Sequence, residues 1–100
     1  MEFDDLLRLM VDKNGSDLFI TAGVAPSMKI NGKIVPVTKS ALTPEVVGQL
    51  IEGIMTEKQR QEFRTTFECN FAITDKADTA RFRVSAFMQR DQPGMVLRRI

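Results

Sequence analysis

The chain has 100 residues, 43% of them hydrophobic and 27% charged, with a formal net charge of +1. That is the size of one domain with a modest single core, and its apolar runs fall short of a membrane span. With no histidine and one cysteine, Cys69, it has no internal disulfide, no usual zinc ligand set and no histidine-assisted nucleophile.

In chain order, the start "MEFDDLLRLM" is acidic where a signal peptide is basic, so a cytoplasmic location is expected. Phe3, Leu6, Leu7 and Met10 fall at i, i+3, i+4 and i+7, which predicts a helix with one apolar face. Glu2, Asp4 and Asp5 suit its positive end, and Asn14-Gly15 can supply a left-handed stop. "SDLFITAG" then alternates as a strand, with Leu18, Ile20 and Ala22 on one face and Asp17, Phe19 and Thr21 on the other. Asn31-Gly32 between two short apolar runs predicts a hairpin with a type I′ turn. Pro36 marks the second of those runs as an edge strand or its end.

Thr43, Pro44 and Glu45 open a second helix, with Val47, Leu50, Ile51 and Ile54 as its apolar stripe. Thr56 and Gln59 form a capping box for a third helix, on which Phe63 and Phe67 make an i, i+4 pair. "ECNFAIT" and "ARFRVSAFMQR" read as strands joined by the loop "DKADT". Cys69 alternates with Phe71 and Ile73, which makes it a small core residue. After Arg90, "QPG" fits a type II turn with Pro93 and Gly94 at its centre, and "MVLRRI" a final strand. The order α-β-β-β-α-α-β-β-β predicts an α+β domain: an antiparallel sheet of about six strands with three helices over one side.

The chemistry concentrates at the C-terminal end. Residues 80–100 hold Arg81, Arg83, Arg90, Arg98 and Arg99 against Asp91, a balance of +4, and the rest of the chain carries −3. This suggests an anion-facing edge. Arg81 and Arg83 are two apart on a strand, hence about 6.6 Å from each other on one face. Two guanidiniums at that spacing repel unless an anion lies beside them, and each can grip a carboxylate or phosphate in a bidentate fork. Ion pairs with the domain's own acids remain the alternative. A nucleic-acid platform is not expected, because Phe82 lies on the opposite face from the arginines and only Phe87 shares theirs. No glycine of Gly15, Gly23, Gly32, Gly48, Gly53 or Gly94 belongs to a G-x-x-x-x-G-K-[ST] loop, so a P-loop is not contained here.

In order, "GSDLFITAGVAPSMKINGKI", "MTEKQRQEF", "ECNFAI", "ARFRVSAF" and "GMVLRRI" resemble the N-terminal domain of the type IV pilus retraction ATPases, the PilT/PilU family of twitching motility. The resemblance covers essentially residues 1–100. Phe19 stands where PilT-like members carry histidine, and with "CNFAI" and "GMVLRRI" it places the chain nearer the PilU branch. The resemblance implies a PAS-like fold followed, beyond residue 100, by a RecA-like ATPase domain using ATP and Mg²⁺. It implies a homo-hexamer in which this domain packs on the RecA-like domain of a neighbouring subunit. It also implies work beside the inner-membrane pilus platform and a partner retraction ATPase, without membrane insertion. Arg81, Arg83 and Arg98 then match positions that approach the nucleotide phosphates, with Arg90 and Arg99 less clearly placed. Alone, the segment is expected to be inactive. A stand-alone PAS-like ligand-binding or sensory module, or a pure interaction scaffold, are the other readings of the same residues.

Overall fold

A computed structural model describes residues 2–100 of the chain. The elements are α1 (Phe3–Asp12), β1 (Gly15–Thr21), β2 (Ser27–Ile30), β3 (Lys33–Pro36), α2 (Pro44–Gly53), α3 (Glu57–Thr66), β4 (Glu68–Thr74), β5 (Arg81–Gln89) and β6 (Gln92–Arg99). The six strands form one antiparallel sheet in the order β3-β2-β1-β6-β5-β4. This is the expected α+β element order. The chain's last strand lies at the centre of the sheet, between its first and its fifth.

Local signals explain most of the boundaries. The Thr43 hydroxyl accepts from the Val46 amide, and Pro44 sits inside the start of α2. Thr56 and Gln59 cap α3 reciprocally, each side chain accepting from the other's backbone amide. Asn31 and Gly32 both adopt positive φ, so the β2–β3 turn is the predicted one. Asn14 takes the left-handed conformation after α1, whereas Gly15 belongs to β1. A Cβ on Gly15 would lie 2.7 Å from Met28 Sδ and 2.8 Å from Met28 Cγ. The glycine there serves close packing rather than a turn.

Alternation sorts the sheet into two faces. On one, Leu18 and Ile20 of β1, Met28 of β2, Met95 and Leu97 of β6, Phe82, Val84 and Ala86 of β5 and Cys69 of β4 are all buried. They form one cluster with Leu6, Leu7 and Met10 of α1, Val47 and Ile51 of α2, Met55, and Phe63 of α3. The three helices therefore cover this face, and burial of these side chains supplies the main folding force. The arginines lie on the other face.

Two sequence expectations need correction. The β5–β6 turn is not centred on Pro93-Gly94. It is Arg90-Asp91, both at positive φ (54° and 62°), and β6 already begins at Gln92. Gln89 pairs with Gln92, Met88 with Pro93 and Phe87 with Gly94. In this register the position of Pro93 lies in a non-hydrogen-bonded pair with β5, so its missing amide costs that ladder nothing. Gly94 lies beneath the Phe87 ring, where a Cβ would come within 2.8 Å of two ring carbons. The second correction concerns Phe67. It is not on α3 with Phe63 but caps the helix in the left-handed conformation and is 56% exposed.

Candidate anion-facing site

The sheet's uncovered face carries the arginines because β5 alternates strictly from Arg81 to Ala86 and β6 continues that register. Arg83 is the Cα partner of Arg98, Arg98 of Asp17, and Asp17 of Lys29. One row across β5, β6, β1 and β2 therefore reads Arg83, Arg98, Asp17, Lys29. Arg81 stands two residues from Arg83, and the Ile100 amide donates to its carbonyl at 3.0 Å. The three candidate arginines thus occupy neighbouring positions on one surface.

Their side chains do not act as one cluster. Arg81 and Arg83 line a depression of about 610 Å³ with Asn70, Phe71, Ala72 and Ile100. Ala72 is the register partner of Arg83, and its small side chain leaves that space open. Arg98 does not line the depression. It turns to Asp17, with Nη2 3.5 Å from Oδ2. Its side chain is 72% exposed, whereas that of Asp17 is only 13% exposed. An ion pair with one partner so exposed is worth about 0–1 kcal/mol.

The alternative of internal ion pairing therefore holds for one of the five C-terminal arginines. Among the described residues, Arg8 pairs with Asp4, Arg60 with Glu57, Arg64 with Glu52 and Arg98 with Asp17. No carboxylate pairs with Arg81 or Arg83 within this set. Arg90 sits at the tip of the β5–β6 hairpin, roughly 23 Å along the strand from Arg83. Arg99 is the register partner of Phe82, so it leaves the end of β6 toward the helix-covered side, where it lines a separate depression with Arg81. Neither lines the depression that Arg81 and Arg83 share.

Asp17 is the site residue that sequence reasoning missed. Alternation put it on the open face, but its pairing with Arg98 depends on the β1–β6 register, 81 positions apart in the chain. A β-bulge between Gly15 and Asp17 also breaks the β1–β2 register just before it.

The remaining chemistry is quiet. The Cys69 thiol is buried, and loss of solvation, then a hydrogen bond and charge from Glu62, raise its pKa. A thiol held protonated is a poor nucleophile. The arrangement can bind an anion through exposed guanidiniums; among the described residues no carboxylate side chain lines the depression with Arg81 and Arg83. Among the described residues, no helix is long and apolar enough to cross a membrane.

No family model matches the chain. The chain is 61% identical over its full length to the type IV pilus ATPase PilU of Pseudomonas aeruginosa, covering 26% of that protein. It is 34% identical, again over its full length, to the type IV pilus retraction ATPase PilT of the same organism, covering 29% of it. The chain spans about a quarter of the length of these curated relatives. The crystal structure of the pilus retraction motor PilT with bound ADP matches 98% of the chain with a TM-score of 0.87 at 28% identity, over 29% of that structure. The Legionella pneumophila ATPase DotB shares the fold, with a TM-score of 0.82 at 21% identity over 97% of the chain and 28% of its own.

Proposed function

The chain belongs to the PilT/PilU family of type IV pilus ATPases as its N-terminal domain, and from that membership we propose that it presents arginines to the nucleotide of a larger ATPase. The observation that carries this reading is the Arg81–Arg83 pair. Both are exposed, neither is paired with a carboxylate among the described residues, and both open onto one depression. Two adjacent unneutralised guanidiniums are an incomplete electrostatic arrangement, and a polyphosphate completes it.

In this reading a RecA-like domain beyond Ile100 holds ATP and Mg²⁺ in a P-loop and performs the hydrolysis. Arg81 and Arg83, joined by Arg98, meet the phosphates from the opposite wall and favour the charge that develops on transfer. They move no proton: guanidinium stays protonated throughout and acts by position and charge. Six such proteins form a ring, with this domain packed on the neighbour's RecA-like domain, in the cytoplasm beneath the inner-membrane pilus platform and beside a partner ATPase. The relatives' pilus functions and the bound ADP in the PilT structure support this. A PAS-like sensor has less support. The helix-covered face where it would hold a ligand is filled by fully buried Leu18, Ile20, Phe82 and Met95.

The coding sequence provides the first test. A Walker A motif is expected about one domain downstream of Ile100. A stop codon directly after Ile100 would contradict the proposal.

A further inference from the structure

The charged row on the open face has an irregular sign pattern. From β2 to β5 it runs Lys29, Asp17, Arg98, Arg83, or plus, minus, plus, plus. Like charges directly opposite on neighbouring strands are unfavourable. The structure relieves this by splaying the two arginines. Arg98 turns to Asp17 on β1, whereas Arg83 faces the depression floored by Ala72 on β4. One anion between Arg98 and Arg83 would restore alternation along the whole row.

We propose that Asp17 is the resting counter-ion of Arg98, and that a polyphosphate bound at Arg81 and Arg83 draws Arg98 away from it. Asp17 is a positioning residue, and the ligand touches Arg98 but not Asp17. Three observations support an exchangeable partner. The single Arg98–Asp17 contact is long, 3.5 Å, and not bidentate. Arg98 is mostly exposed and free to swing, whereas Asp17 is mostly buried and stays. Lys29 is the other register neighbour of Asp17, so releasing Arg98 does not leave the carboxylate without a nearby cation. The competition sets a threshold: an anion must outbid Asp17 to recruit the third arginine. A triphosphate chain, with several charged oxygens, can span two strands and do so; a single weak anion gains little.

This rests on the phosphate reading of the arginines and adds a residue on β1 to it. The test titrates inorganic triphosphate into the chain at low salt and follows the arginine Nε–H signals by NMR. Asp17→Asn, which keeps the side-chain shape, is expected to tighten binding by about two- to fivefold, the range open to an exposed ion pair. Arg98→Gln is expected to weaken binding. The double variant is expected to bind no better than Arg98→Gln alone, since the gain acts through Arg98. Thermal unfolding checks that each variant is folded. Unchanged or weaker binding in Asp17→Asn, a gain that survives in the Arg98→Gln background, or no binding by any of the four proteins would overturn the proposal. If ATP turnover in the full-length protein still depends on Arg83 while Asp17→Asn has no effect on triphosphate affinity, the arginine reading stands and the role of Asp17 fails.

Discussion

Arg83 and Arg98 face each other across the β5–β6 seam, yet their side chains part: Arg98 reaches back 3.5 Å to Asp17, and Arg83 lines a depression with Arg81. Among the described residues, Arg81 and Arg83 are therefore unpaired and Arg98 is loosely held. Among these same residues, neither Arg81 nor Arg83 belongs to the buried core or to an ion pair.

The core can be tested at the end of α3. Phe63 is 5% exposed, whereas Phe67 caps the helix at φ 66° and is 56% exposed. Phe63→Ala should cost about 3–5 kcal/mol. Phe67→Gly removes a left-handed strain of roughly 1–2 kcal/mol along with a half-exposed ring. Its net effect should stay within about 1 kcal/mol of zero. Urea unfolding of both variants checks this, and equal losses would contradict it.

Two glycines should respond in opposite directions. Gly15→Ala drives a Cβ to 2.7 Å from Met28 Sδ, and Met28 is fully buried. The loss should be about 1–3 kcal/mol. Gly48 lies within α2, and an added Cβ meets nothing within 4 Å. Gly48→Ala should stabilise by roughly 1 kcal/mol through helix propensity. Thermal denaturation of the two variants gives the signs directly.

The β4–β5 loop should loosen in acid. The Asp75 carboxylate accepts from the Thr79 hydroxyl at 2.6 Å, the Thr79 amide at 2.7 Å and the Ala80 amide at 3.1 Å. These bonds, the Thr79 side chain foremost, hold its pKa below the ordinary value of 3.8. A depressed folded pKa means the contribution is present above 3.8 and is lost as pH falls through the lower folded value. Hydrogen exchange at the Thr79 and Ala80 amides should accelerate in that window. In Asp75→Asn the acid-dependent step should vanish.

The sequence made local features legible. Thr56 with Gln59, Thr43 with Pro44, and Asn31-Gly32 each carry their geometry within four residues, and all three form as expected. Alternation from Arg81 to Ala86 assigned the arginine face correctly because one residue's slip would have exposed Phe82 and Val84. Pro93-Gly94 misled because its dipeptide suits a turn, while the actual turn residues, Arg90 and Asp91, bear no glycine signal for their positive φ. Phe67 misled for the same reason at a helix end. The role of Asp17 was hidden more deeply, since it depends on pairing the first strand with the last.

The central claim is that these arginines serve a nucleotide held by the larger ATPase. The most direct measurement is ATP turnover by the full-length protein carrying Arg83→Ala, with its assembly compared with the parent's by native mass spectrometry. Arg83 is exposed and contributes nothing to the core, so the fold should persist. Turnover should fall by on the order of tenfold or more. Turnover equal to that of the parent would remove Arg83 from the nucleotide site and contradict the account.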